Sequence, residues 1–175
     1  ARIITESWAK ENTFCPSCGE LLRKYNNNKP VADFYCVSCV EDFELKSTSS
    51  KLGKSISDGA YATMIERLRS NNNPNLFLLQ YDKQFWSAVN YLIIPKYFFT
   101  PNVIVKRPPL PPTARRSGWV GCNINIHSIP THGKIFLIKE GRLSKTEEIM
   151  TAWKKTNFLS SENCIPLPGS NTSSA

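Results

Sequence analysis

The sequence has no long hydrophobic run, no export signal and no internal repeat. None of its apolar stretches approaches the ~18 residues that a membrane-spanning helix needs. The N-terminus lacks the basic-then-apolar pattern that marks a chain for export. We therefore predict a cytoplasmic protein that makes no contact with a membrane. Its 175 residues are enough for one domain with a proper hydrophobic core.

Cysteine is too scarce for a small scaffold held together by disulfides. The chain contains six: Cys15, Cys18, Cys36, Cys39, Cys122 and Cys164. Four of them form two tight Cys-x₂-Cys pairs, an arrangement typical of metal ligands in a reducing compartment. Cys122 falls in an apolar stretch and is expected to be a buried small hydrophobe. We assign no role to Cys164.

Acidic residues are outnumbered by basic ones, 14 to 22, which gives a formal net charge of +8. This balance suits a polyanionic partner, because each Lys or Arg that neutralises a phosphate releases counterions. A solvated basic surface accounts for the same charge equally well. Charge alone therefore does not identify a protein that binds nucleic acid.

The two cysteine pairs are separated by 17 residues, a spacing typical of structural zinc sites. Two thiolates on one tight turn can occupy one edge of a tetrahedron, and the second pair closes the other edge. The sequence thus predicts that Cys15, Cys18, Cys36 and Cys39 bind a structural Zn²⁺ with no open position for a substrate. The alternative is four unrelated buried thiols, which this spacing disfavours.

Periodicity and turn residues predict three helices, at 4–12, 58–69 and 144–155. Six strands are predicted, at 31–35, 43–46, 76–81, 89–94, 119–126 and 134–139. The strands at 76–81 and 89–94 are continuously apolar, so we expect them at the centre of a sheet covered on both faces. Ser57 and Ser144 are the expected N-caps of the second and third helices. The segment 106–116 is rich in proline and basic residues and should be an extended loop.

The spacing of Asp33, Glu44 and Lys46 around the second cysteine pair predicts a hairpin that carries charged side chains. Alternate residues of a strand share a face, so Glu44 and Lys46 should point the same way. A zinc-bound turn at 36–39 would fold the chain back and bring Asp33 beside Glu44. An exposed strand face with ordinary salt bridges is the alternative, and it is the commoner fate of such residues.

This set of side chains suits the hydrolysis of a phosphodiester bond. Asp33 and Glu44, together with the carbonyl of Leu45, would hold Mg²⁺ through the oxygen ligands that a hard cation prefers. A bound Mg²⁺ would offset the negative charge that develops on the phosphoryl group. Lys46 would orient or deprotonate the attacking water and counter the charge of the phosphate.

Six segments together resemble one family of nucleases. They are Cys-Pro-x-Cys at 15–18, Pro-Val-Ala-Asp-Phe-Tyr-Cys at 30–36, Phe-Glu-Leu-Lys-Ser at 43–47, Asp-Gly-Ala-Tyr-Ala-Thr-Met at 58–64, Asn-Asn-Pro-Asn at 72–75 and Pro-Thr-Ala-Arg-Arg-x-Gly-Trp at 112–119. The chain resembles the DpnI type of restriction endonuclease, the Dam-replacing family. The resemblance implies an α/β protein of the PD-(D/E)xK nuclease fold, a mixed sheet flanked by helices, with the Cys₄ zinc site inserted at the catalytic hairpin.

The same resemblance implies an activity and its residues. It implies a Mg²⁺-dependent type II endonuclease that cuts double-stranded DNA at GATC only when the adenine is methylated. Asp33, Glu44 and Lys46 correspond to the catalytic positions of the family. Trp119 corresponds to the aromatic residue that contacts the adenine methyl groups. The alternative interpretation is that Trp119 is a core residue at the start of a strand. Arg115 and Arg116 would contact phosphates or guanine edges.

For the chain as a whole, we expect an endonuclease domain at 1–160 and a disordered tail at 161–175. Enzymes of this family carry a C-terminal winged-helix domain, which is not found after about residue 160 here. Two other functions stay open: a zinc-containing module that binds methylated DNA without cutting it, and a repair or resolvase nuclease on the same fold. The sequence leaves the oligomeric state undecided and favours a monomer.

Overall fold

The computed structural model of the chain describes residues 2–26, 32–70 and 72–162, with the backbone alone at 158–162. The helices are α1 (Arg2–Asn12), α2 (Tyr61–Arg69) and α3 (Thr146–Glu162). The strands are β1 (Arg23–Lys24), β2 (Phe34–Tyr35), β3 (Asp42–Thr48), β4 (Ile56–Ala60), β5 (Asn75–Asp82), β6 (Ser87–Ile94), β7 (Ile104–Lys106), β8 (Gly121–Ile124), β9 (Ile135–Lys139) and β10 (Arg142–Leu143). Short 3₁₀ turns join several of the later strands.

Seven of these strands form one mixed sheet in the order β1-β2-β3-β5-β6-β9-β10. The pair β3 and β5 is parallel and its neighbours in the sheet are antiparallel. A parallel pair needs a long crossover, and here the crossover consists of β4 and α2. The strand β4 joins a second, three-stranded sheet in the order β4-β8-β7. The crossover therefore places this second sheet over one face of the first.

Both faces of the large sheet are buried. One face packs against α1 and α3 through Phe43, Phe77, Leu79, Tyr91, Ile93, Ala9, Ile149 and Trp153. The other packs against α2 and the small sheet through Leu76, Leu78, Leu92, Ile94, Met64, Cys122 and Ile124. The prediction that 76–81 and 89–94 are central strands is confirmed. Cys122 is fully buried in β8, as predicted.

The predicted helix at 58–69 begins three residues too early, because Asp58 to Ala60 belong to β4. Asp58 pairs with Cys122 of β8, and the register shifts between Asp58 and Ala60. Backbone pairing with a distant strand thus outweighs the helical pattern. Ser57 lies within β4 and is not an N-cap; the residue before the helix, Ala60, makes no side-chain capping bond.

Several other predicted elements also differ in length. The strand predicted at 31–35 is seen only at Phe34–Tyr35, and Val31 lies outside the described residues. The strand predicted at 119–126 covers only Gly121–Ile124. The last helix begins at Thr146, one residue later than a cap at Ser144 would give, and the N–H of Ser144 donates to the carbonyl of Leu137. It continues to Glu162, and residues 163–175 lie outside the described part.

The segment predicted as an extended loop is largely a hairpin. Backbone bonds continue the β7–β8 pairing outward, from Arg107 N–H to the carbonyl of Gly121 (2.9 Å) and from Leu110 N–H to that of Trp119 (2.9 Å). We call residues 104–124 the basic hairpin, because its sequence contains Lys106, Arg107, Arg115 and Arg116 and no acidic residue. Among the described residues, no helix is long and apolar enough to cross a membrane.

Candidate active site and metal centre

The two cysteine pairs form turns of the same backbone geometry. In each, the N–H of the first cysteine donates to the carbonyl five residues later, at 2.7 Å for Cys15 and 3.0 Å for Cys36. The carbonyl of that cysteine accepts the N–H four residues later, at 2.7 and 3.2 Å. The residue after the second cysteine has positive φ in both turns, +81° at Gly19 and 55° at Val40. We call the two turns the first and second knuckles.

The knuckles bring four sulfur atoms together. The Sγ atoms of Cys15, Cys18, Cys36 and Cys39 all lie within 4.8 Å of one another. Those of Cys18 and Cys36 are 3.6 Å apart, close to the roughly 3.8 Å edge of a tetrahedron with Zn–S bonds of 2.3 Å. Four thiols at this spacing can bind a metal such as zinc, and the predicted ligand set is therefore brought together.

Hydrogen bonding in the second knuckle favours a thiolate. Burial alone would raise the pKa of the Cys36 thiol, but the backbone N–H of Cys39, 3.4 Å from its sulfur, and the neighbouring thiols lower that pKa below its usual value. Burial raises the pKa of Cys15. A metal ion would have to displace that proton, which a zinc-bound thiol readily loses.

Val40 is expected to store strain in the second knuckle. An L-residue in the left-handed region costs about 1–2 kcal/mol, and glycine does not bear this cost. We therefore expect Val40→Gly to raise the free energy of unfolding of the zinc-loaded protein by about 0.5–1 kcal/mol, as measured by urea denaturation. Val37→Gly, an exposed position in the same turn without positive φ, should lower it. An equal loss in the free energy of unfolding for both variants would contradict strain at Val40.

The second knuckle connects β2 to β3 and sets their register. Phe34 lies opposite Phe43, so the preceding residue, Asp33, lies opposite Glu44. The N–H of Asp33 donates to the carbonyl of Phe43 at 2.9 Å. The Asp33 carboxylate accepts the N–H of Leu45 at 2.7 Å. In an extended strand the N–H and C=O of one residue face the same neighbour, so the Leu45 carbonyl points to this edge as well.

The side chains of Glu44 and Lys46 share a face, as the alternation predicts. Lys46 Nζ lies 3.6 Å from Glu44 Oε1 and 2.9 Å from Asp58 Oδ1. Arg67 of α2 donates to Glu44 Oε2 at 2.9 Å. We call Asp33, Glu44, Lys46, Asp58 and Arg67 the charged cluster. It holds three carboxylates and two cations, so its formal charge is −1, and Arg2 Nη2 lies 3.9 Å from Asp33 Oδ1 beside it.

The surroundings shift two pKa values in the charged cluster. Burial and the nearby negative charge of Glu44 raise the pKa of Asp33, and the hydrogen bond from the Leu45 N–H lowers it. Burial is the largest effect, so the pKa of Asp33 lies above its usual value. Burial would lower the pKa of Lys46, but the carboxylates of Glu44 and Asp58 more than offset it and raise that pKa above its usual value. Lys46 is accordingly an ammonium ion at neutral pH.

The three residues expected at DNA lie in the basic hairpin. Arg115 and Arg116 are exposed near its tip. Trp119 is partly buried and precedes β8, so it is not a core residue of a strand. The Arg116 guanidinium lies 4.5 Å from the centre of the indole ring and that of Arg107 lies 5.5 Å from it. The hairpin thus brings together two of the three predicted residues and adds a further arginine.

The sequence model of the DpnI type, described as the Dam-replacing family, matches residues 1–162. The chain belongs to the Dam-replacing family. The match spans both knuckles, the charged cluster and the basic hairpin. Membership of the Dam-replacing family confirms the resemblance seen in the sequence and indicates a restriction nuclease.

Sequence reasoning had assigned no role to Asp58, Arg67 or Arg107. Asp58 stood in the segment 58–64, which resembles the Dam-replacing family, but the expected helix there concealed its strand position. The sequence signal that could have indicated a role for Asp58 is its position next to Gly59, just before an apolar helix. Arg67 and Arg107 carried no local signal, since both meet their partners through contacts distant in sequence.

Proposed function

We propose that the protein is a type II, methyl-directed restriction endonuclease that hydrolyses phosphodiester bonds of double-stranded DNA at adenine-methylated GATC. The observation that carries this proposal is the hairpin at the second knuckle. It sets Asp33 opposite Glu44, with Lys46 on the same face as Glu44. Membership of the Dam-replacing family supports the substrate. The mixed sheet and its flanking helices support a nuclease of the PD-(D/E)xK fold.

The residues present fit Mg²⁺. Carboxylate oxygens of Asp33 and Glu44 and the carbonyl of Leu45 form an all-oxygen donor set of the kind that this cation takes. The charged cluster bears a net charge of −1, which a cation would offset. When bound, Mg²⁺ supplies Lewis-acid polarisation of the scissile phosphate. Arg67 holds one oxygen of Glu44 and so fixes the orientation of that carboxylate.

Lys46 is the group that this chain would direct at the reacting phosphate. Its ammonium donates a hydrogen bond to Asp58 at 2.9 Å and lies 3.6 Å from Glu44 Oε1, which leaves it N–H groups free to donate to a substrate. A phosphate oxygen or the attacking water would accept a hydrogen bond from one of them. The ammonium would thereby orient the water and counter the negative charge that develops on the phosphoryl oxygens.

The basic hairpin is suited to hold the DNA. Its exposed cations Lys106, Arg115 and Arg116, with no acidic residue between 104 and 124, would neutralise phosphates. A methyl group offers no hydrogen bond and is best detected by apolar contact, for which the indole of Trp119 is suited. Arg115 and Arg116 would contact phosphates or guanine edges beside it. Because the charged cluster is complete, cleavage is favoured over a module that only binds methylated DNA.

Digestion of plasmid DNA tests the proposal. Wild-type protein with Mg²⁺ should cut a GATC plasmid that carries methyladenine and leave the unmethylated plasmid intact. Asp33→Ala removes one metal ligand and should reduce cutting by on the order of 10³-fold. Glu148→Ala, on the exposed face of α3, should cut normally. Equal cutting of both plasmids would exclude methyl-directed specificity, and full activity of Asp33→Ala would exclude the catalytic assignment.

A further inference from the structure

Arg107 occupies an unusual position at the base of the basic hairpin. Its backbone N–H donates to the carbonyl of Gly121, and its side chain folds back over that same glycine. A Cβ built on Gly121 would lie only 2.6 Å from the guanidinium Cζ. The absence of a side chain at Gly121 therefore creates the space in which the guanidinium lies.

From this position Arg107 contacts two parts of the proposed site. Its Nη2 donates to the backbone carbonyl of Asp58 at 3.0 Å. Its Cζ lies 5.5 Å from the centre of the Trp119 ring, within the range of a cation–π contact. Its Nε is buried and has no hydrogen-bond partner among the described residues. One guanidinium thus links the indole to strand β4.

Asp58 carries this link on to Lys46. Its Oδ1 accepts from Lys46 Nζ at 2.9 Å and from the N–H of Gly59 at 2.7 Å. Its other oxygen is buried and lacks a partner among the described residues. The strand is irregular here, since its register with β8 shifts between Asp58 and Ala60. The direction of the Asp58 side chain therefore depends on neighbours such as Arg107 as well as on the sheet.

We propose that Arg107 is a positioning residue that couples the reading of the methyl group at Trp119 to the placement of the Lys46 ammonium. This inference rests on the proposed function. The contacts form a continuous path from Trp119 through Arg107 and Asp58 to Lys46. A base that packs against the indole would fix the position of the Arg107 guanidinium. The guanidinium would hold the Asp58 carbonyl, and the Asp58 carboxylate would in turn position the Lys46 ammonium. Methylated DNA would then bring Lys46 to the position in which it contacts the phosphate.

Two variants disturb the link in different ways. Arg107→Lys keeps the charge but replaces the planar guanidinium, which reaches the carbonyl and the ring together. Gly121→Ala keeps Arg107 and displaces its guanidinium, at little cost in stability because the end of a flexible side chain can move. Matched controls are Arg142→Lys on β10, at the far edge of the large sheet, and Gly53→Ala, which has open space around it.

The first measurement is single-turnover cleavage of a methylated duplex with Mg²⁺. Both link variants should lower the maximal rate by on the order of 10- to 100-fold, with the DNA concentration for half-maximal rate changed less than about threefold. The preference for methylated over unmethylated DNA should fall in the same variants. The melting temperature of each variant shows whether it is folded. Folded link variants that cut at the control rate would overturn the coupling and leave the proposed function standing.

The second measurement does not require cleavage. The ¹⁵Nζ resonance of Lys46, assigned by its loss in Lys46→Met, is followed without added Mg²⁺ as methylated or unmethylated duplex is titrated in. In the wild type it should shift with the methylated duplex only, and in Arg107→Lys the two duplexes should have the same effect. An identical methyl-dependent shift in both proteins would overturn the coupling. Failure of the wild type to cut, with the shift intact, would overturn the proposed function alone.

Discussion

Removal of zinc should unfold the hairpin that carries Asp33 and Glu44 and abolish cleavage with it. The four sulfur atoms come from two knuckles that precede β1 and follow β2. Besides the thiols, a surface hydrogen bond joins the two knuckles: Ser38 Oγ donates to the Glu20 carboxylate at 2.7 Å. Formation of a structural zinc site and folding are coupled, with binding free energies of about 10–16 kcal/mol in zinc-finger peptides.

The measurement is thermal unfolding before and after chelation. Loss of zinc should lower the melting temperature by at least ~10 °C, since about 1 kcal/mol corresponds to roughly 2–4 °C in a chain of this size. Cys39→Ala should behave like the stripped protein, whereas Ser17→Ala in the first knuckle should not. Withdrawal of Mg²⁺ alone should stop cleavage and leave the melting temperature unchanged. A stripped protein with its full melting temperature would show that the metal is not structural.

Lys46→Met should produce the largest loss of activity of any single substitution at a basic residue. Methionine has nearly the length of lysine, so packing beside Leu78 is retained while the ammonium is lost. The carboxylates of Glu44 and Asp58 then lose their shared cation, and the charged cluster passes from −1 to −2. Under the proposed function, the phosphate would lose its counter-charge and the attacking water would lose a donor. We expect the cleavage rate to fall by on the order of 10³-fold.

Binding and cleavage should separate in this variant. The affinity for a methylated duplex should change little, because the basic hairpin, which would supply most contacts with phosphates, is intact. Lys154→Met, on the exposed side of α3, is the matched control and should match the wild type. A Lys46→Met protein that cuts within about tenfold of the wild type would remove Lys46 from the chemistry and leave metal binding by Asp33 and Glu44 as the remaining hypothesis.

Local patterns predicted the parts of the site that short segments build. The spacing of the cysteines was enough to predict the knuckles, because each is a single turn with its own backbone bonds. Alternation along 43–46 was enough to place Glu44 and Lys46 on one face. The pairing of Asp33 with Glu44 followed, since the second knuckle leaves only one direction in which the chain can return.

Contacts distant in sequence could not be predicted in the same way. The position of Asp58 depends on pairing with β8, more than 60 residues later, and a helical pattern starting nearby obscured it. The hairpin between β7 and β8 was concealed by Pro108 and Pro109, which lack the N–H of a paired strand residue. The structure accommodates them because Arg107 and Leu110, on either side, supply the N–H groups that bond across the hairpin.

The location of the second knuckle between Asp33 and Glu44 would also set the order in which the two proposed metals can bind. If zinc is needed to hold the register between β2 and β3, a newly made chain without zinc would keep its two carboxylates apart, and they would not share a cation. Mg²⁺ would then gain its proposed site only after zinc has bound. The nuclease would therefore be inert during synthesis, and the supply of zinc, rather than of Mg²⁺, would determine when it becomes able to cut.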